Sequence, residues 1–145
     1  MGYVADISRT YSTGEPTKRQ ITVHGVVQEA HRQIIKLLKP GLLFEEYQRQ
    51  VNKIMMTGLI ELGLAKDVQD MDACRKYFPH SVTHGLGIDA HDSLGSSRLM
   101  LTDMVLTVEP GIYIPEEKIG VRIEDDILIT QTGHTNLSAR LSTDL

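Results

Sequence analysis

The sequence predicts an α+β fold, with two long helices followed by an antiparallel sheet. An apolar period of 3.6 residues runs from Pro16 to Leu62, in two blocks divided by "LLKPG". After Phe78 the text turns to short runs of β type. Helix text and strand text therefore stand in separate blocks, whereas a parallel sheet would alternate them.

Taken in order, "GYVADISRTY" is rich in β-branched and aromatic residues and reads as a strand. "STGEP" is a turn. Pro16 suits the first turn of a helix whose face carries Ile21, Val27, Ala30, Ile34, Ile35 and Leu38. Lys39 to Gly41 marks its stop. A second helix reads from Phe44 to Leu62, with Tyr47, Val51, Ile54, Met55 and Leu62 as its stripe. Both stripes read as core, and Met55 and Met56 need no cofactor to explain them. "AKDVQDMDACRKY" is polar and irregular, with room for a short helix. "MVLTVEPGIYIP" and "VRIEDDILIT" are strands joined by the hairpin loop "EEKIG". The sheet should be curved, with the helices on its convex face and Ile34, Leu38, Val51 and Ile54 buried against it.

Composition narrows the function. The 145 residues suit one domain, and 41% apolar with 23% charged residues can bury a core. A net charge of -4 without a basic run argues against nucleic acid. No apolar run approaches the ~20 residues that cross a bilayer, so no membrane role is expected. The opening "MGYVADISRT" lacks the basic and apolar regions of a signal peptide. Cys74 is the single cysteine, which suits a free thiol in a reducing compartment and a cytoplasmic chain.

Several polar residues sit awkwardly in this text. Glu109 closes an apolar strand, and Glu124 lies inside "VRIEDDILI". A strand carboxylate is either solvated, paired or bound to a cation. Alternation puts Glu124 on the face of Arg122, so an exposed ion pair is one explanation. Pro110 holds Glu109 in extended geometry. Asp6 shares a face with Ser8 and Thr10, which is also consistent with a solvated face. "HSVTHGLGIDAHD" carries His80, His84 and His91, and glycines there allow close approach of backbone or substrate. His80 and His84 share a face in either helix or strand; the composition argues for strand and turn. One imidazole and three carboxylates, from Asp6, His84, Glu109 and Glu124, would suit Mn²⁺, Co²⁺ or Zn²⁺, singly or as a bridged pair.

"HSVTHGLGIDAHD", "LTVEPGIYIP" and "GVRIEDDILIT" resemble three signatures of the Xaa-Pro aminopeptidase and prolidase family, the metallopeptidases of pita-bread fold. "GYVADISRTY" resembles the family strand that carries a metal aspartate, and "LLKPG" its turn between helices. The resemblance spans nearly the whole chain.

That resemblance implies a partial pita-bread fold and metal-dependent hydrolysis of the peptide bond preceding proline. It implies Asp6, His84, Glu109 and Glu124 as metal ligands, with Asp6 and Glu124 bridging two ions and Glu109 also transferring a proton. His80 and His91 would face substrate and stabilise its tetrahedral intermediate. Arg122 would orient the carboxylates. The implied cofactor is a divalent metal, Mn before Zn or Co, and the partner is a peptide with proline second. The family's further "DxG" aspartate would fall upstream of Met1. Residues 1–145 would then form the C-terminal part of a catalytic domain, holding at most one metal well. Self-association through an exposed apolar face is also expected. Gly85 departs from the larger residue of many relatives. The alternative reading is a non-catalytic binding or scaffold module that keeps the fold.

Overall fold

Thr17 starts the first helix by a reciprocal cap. Its hydroxyl accepts from the Gln20 N–H at 3.2 Å, and the Gln20 side chain accepts from the Thr17 N–H at 2.8 Å. Pro16 therefore stands one residue before the cap, not in the first turn. The computed structural model describes residues 2–145. Helix α1 spans Lys18–Ile35, α2 Phe44–Glu61 and α3 Met71–Tyr77. α1 ends before the proline: Leu37 and Leu38 close a tighter turn onto Ile34 and Ile35, and Gly41 takes φ +80° to reverse the chain.

Strands β1 (Val105–Val108), β2 (Gly111–Ile114), β3 (Ile119–Arg122), β4 (Asp125–Ile129) and β5 (His134–Asn136) follow. All their pairings are antiparallel, in the orders β1-β4-β5 and β2-β3. A short 3₁₀ turn, Pro115–Glu117, with left-handed Lys118 at its end, makes the β2–β3 hairpin. β5 was not expected from the sequence; "HTN" is too short and polar to carry a period.

One core holds these layers together. Val23, Val27, Ile34, Leu38, Val51, Met55 and Leu59 from the helices pack with Leu106, Ile112, Ile123, Ile127 and Ile129 from the sheet region. Burying each such side chain contributes roughly 1.5–3 kcal/mol before conformational entropy is subtracted. α1 lies directly on the strands, and α2 packs along α1. Ile34, Leu38 and Val51 are fully buried as expected, whereas Ile54 is half-buried at the margin. Ile21 is 53% exposed, because the α1 face turns toward Val23 and Val27.

The first segment is not a regular strand. It runs extended but makes isolated contacts: the Val4 N–H donates to the Gly87 carbonyl at 3.0 Å, and the Glu124 N–H to the Ser8 carbonyl at 3.0 Å. Without a ladder on either side it has strand composition but no strand partner. It leaves Tyr3, Val4, Ile7 and Tyr11 exposed.

Candidate metal centre

Glu109 and Glu124 meet at an interruption in the strands. Val108 is paired with Asp125 below it, and Gly111 with Arg122 above it. The register is the same on both sides, so Glu109 falls opposite Glu124. Pro110 has no N–H and cannot continue the ladder, which opens the gap. Glu124 is 2% exposed, so an exposed ion pair with Arg122 does not describe it. Its short partner is Ser8, whose hydroxyl donates at 2.5 Å. Arg122 Nε donates to that same hydroxyl at 3.1 Å and lies 4.0 Å from the carboxylate. Arg122 thus acts on Glu124 through Ser8.

His84 arrives beside this pair on an irregular segment, not a strand. Its N–H donates to Thr107 Oγ1 at 3.1 Å, and its carbonyl accepts from the Thr107 N–H at 3.0 Å. Buried Tyr47 of α2 bonds the neighbouring Thr83 hydroxyl at 2.7 Å. His84 Nδ1 stands 2.9 Å from the Gly85 carbonyl. A carbonyl only accepts, so Nδ1 carries a proton, and Nε2 is the ring nitrogen left to bind a cation. That Nε2 lies 3.4 Å from Glu109 Oε1 and 3.7 Å from Asp6 Oδ2.

The four expected ligands therefore gather around His84, but not as one set. His84, Glu109 and Glu124 offer ligand atoms within 4.8 Å of one another. Asp6 instead joins His84 and His91 in a second set of three. Asp6 is tethered by its backbone N–H, 3.3 Å from Asp126 Oδ2. His80 lies at the rim: Nδ1 faces the Ser81 carbonyl at 2.8 Å and Glu109 Oε2 at 4.0 Å, while Nε2 and the Tyr113 hydroxyl are hydrogen-bonded at 2.9 Å.

The donor set fits a divalent cation. Burial, and after it the charge of Glu124, holds the Glu109 carboxyl above its ordinary value. Asp126 is pushed up to about 6, first by burial, with the charges of Asp6, Glu124 and Asp125 adding to it. Carboxylates that repel one another in a half-buried basin, with one imidazole lone pair aimed among them, suit a hard or borderline ion.

Sequence reading missed three participants. Ser8 sits two residues from Asp6 on the same face, so spacing could have flagged it. Asp126 stands two residues from Glu124. Tyr113 carried no signal, since a tyrosine in a strand is ordinary.

The sequence profile of metallopeptidase family M24 matches residues 1–131. The chain is 41% identical over 155 aligned positions to the Xaa-Pro aminopeptidase of Escherichia coli (strain K12), covering 95% of this chain and 35% of that protein. It is 38% identical to human Xaa-Pro aminopeptidase 3, covering 94% of this chain and 30% of that one. A zinc-substituted aminopeptidase P from E. coli, solved with product, superposes with a TM-score of 0.88 at 41% identity, over 99% of this chain and 36% of that one. Proline aminopeptidase P II from Yersinia pestis matches with the same TM-score at 42% identity, over 99% and 37%. The chain spans about a third of the length of these relatives, and over that third it has the pita-bread architecture of aminopeptidase P. The chain belongs to metallopeptidase family M24.

Proposed function

We propose that this chain carries the His84 side of the active centre of an Xaa-Pro aminopeptidase, and that residues 1–145 form the C-terminal part of its catalytic domain. The observation that supports this most is Glu109 opposite Glu124, both within ligand reach of the free His84 nitrogen. Those three would hold one divalent ion, Mn²⁺ by preference because oxygen donors dominate. Asp6, 3.7 Å from the same nitrogen, would add its carboxylate to the metal-holding residues. Bound there, a divalent ion supplies Lewis acidity toward a carbonyl oxygen and makes water a nucleophile near neutral pH.

The remaining work falls to the chain's own side chains. Glu109, whose affinity for a proton is raised by burial, would take a proton from water and pass it to the leaving proline nitrogen. His80 stands beside Glu109 with its ring fixed between the Ser81 carbonyl and the Tyr113 hydroxyl, and would face the substrate from the rim. His91, at the exposed mouth, would meet the proline end of the peptide. Arg122 fixes Glu124 through Ser8.

One ion is expected to bind well, at the His84, Glu109 and Glu124 side chains. No helix of the described residues is long and apolar enough to cross a membrane. A cytoplasmic setting is inferred from the single, unpaired Cys74. Exposed Tyr3, Val4, Ile7 and Tyr11 favour self-association.

The test compares cleavage of an Xaa-Pro peptide by this chain and by a version extended upstream, each with Mn²⁺. Cleavage by the extended version that is abolished by His84→Ala supports the reading. An extended version that is inert with Mn²⁺, Co²⁺ and Zn²⁺ overturns it.

A further inference from the structure

The loop from Gly85 to Asp92 brings a second imidazole to His84. Gly85 and Asp92 are bridged, with the Asp92 N–H donating to the Gly85 carbonyl at 2.9 Å. The Asp92 carboxylate then caps the Ile88 N–H at 3.2 Å and the Ser93 N–H at 2.7 Å. A Cβ at Gly87 would lie 2.1 Å from Asp92 Oδ2, and one at Gly85 would lie 2.7 Å from the Asp92 carbonyl. A side chain at Gly85 would press on the Asp92 backbone, and one at Gly87 would displace the capping Asp92 carboxylate. The result of this closure is His91 set edge-on to His84, ring centres 4.3 Å apart.

We propose that Asp6, His84 and His91 form a second, competing cation position with two nitrogens and one oxygen. It rests on the reading of this basin as a metal centre. Ligand atoms of the three residues lie within 4.8 Å of one another. The position cannot be filled together with the His84–Glu109–Glu124 one. His84 Nδ1 is committed to the Gly85 carbonyl, so both positions draw on the single Nε2 lone pair.

The two donor sets differ in kind. Two imidazoles favour ions late in the Irving–Williams order, such as Ni²⁺, while two carboxylates with one imidazole are comparatively hospitable to Mn²⁺. His91 therefore sets which ion the basin holds. An ion drawn to the His91 side takes the His84 nitrogen away from Glu109 and Glu124, and so excludes the ion that the proposed chemistry needs.

The experiment titrates the metal-free chain with Ni²⁺ and, separately, with Mn²⁺, by calorimetry and by paramagnetic broadening of the histidine ring protons. It is run on the wild type, His91→Gln and Glu109→Gln; His91 is exposed, so its loss should leave the fold intact, which circular dichroism checks. His91→Gln should weaken Ni²⁺ at least about tenfold while changing Mn²⁺ less than about twofold. Glu109→Gln should show the reverse order, and Ni²⁺ should displace Mn²⁺ from the wild type. Ni²⁺ binding that is indifferent to His91, or Ni²⁺ and Mn²⁺ bound together, overturns this proposal and leaves the Glu109–Glu124 centre standing. Failure of both ions to bind overturns the two together.

Discussion

Arg9 forms a buried ion pair with Asp125, Nη2 to Oδ1 at 2.6 Å, one residue further along each segment from the Ser8–Glu124 contact. The same guanidinium donates to the carbonyls of Ser8, Glu124, Leu141 and Ser142. It fastens the Asp6 segment, which has no ladder of its own, to the strand edge that carries Glu124. Removing one partner leaves the other charge buried and alone. Asp125→Ala should therefore cost about 3–5 kcal/mol, read from urea denaturation. Arg9→Lys keeps the charge but not the planar fork, and should recover only part of the stability lost in Arg9→Met.

His31 gives stability a dependence on pH. Burial lowers its pKa from 6.5 to about 4, opposed by Asp125 and aided by Arg9. The unfolded chain then binds more protons than the folded one between those values. Stability from this group rises with pH across roughly 4 to 6.5 and is level above it. Asp126, raised to about 6, works in the opposite sense and favours the folded state at the acid end. The two are separated by substitution. Metal-free His31→Leu should lose the rising contribution, so the wild type minus variant difference in unfolding free energy should climb over that window.

Ser8 is the only residue whose side chain hydrogen-bonds the Glu124 carboxylate among the described residues. Ser8→Ala should lower Mn²⁺ affinity about 10-fold to 100-fold, the range typical when a ligand loses its orienting partner. Titration calorimetry reads it directly. An unchanged affinity would mean that Arg122 orients Glu124 without the hydroxyl.

Gly58 of α2 faces Val26 of α1, and an added Cβ there would lie 2.7 Å from Val26 Cγ1. Gly58→Leu should destabilise the chain by about 1–3 kcal/mol through overpacking, despite leucine's better helix propensity. Chemical denaturation measures the balance.

Much of the fold was legible because its elements obey simple periods. The α2 stripe of Tyr47, Val51 and Met55 and the runs around Leu106 and Ile127 are buried as their spacing indicates. Residues 2–15 misled because strand propensity reports what a side chain tolerates, while a strand also needs a partner. The metal centre was legible only in parts. Residue types marked Glu109, Glu124 and His84, but no local spacing reveals that Glu109 and Glu124 oppose each other. That follows from a register shared by two ladders, a long-range property. Ser8 was hidden by the opposite error, since a polar residue beside Asp6 looks like an ordinary solvated face.

Whether Glu109 and Glu124 hold one ion together is decided by a double-mutant cycle on Mn²⁺ affinity, with Glu109→Gln, Glu124→Gln and both together in the metal-free chain. If the two carboxylates share one ion with His84, each single change lowers affinity by at least about tenfold, and the double variant falls short of the product of the two losses. Independent losses that multiply, or single variants that bind Mn²⁺ as the wild type does, would contradict it.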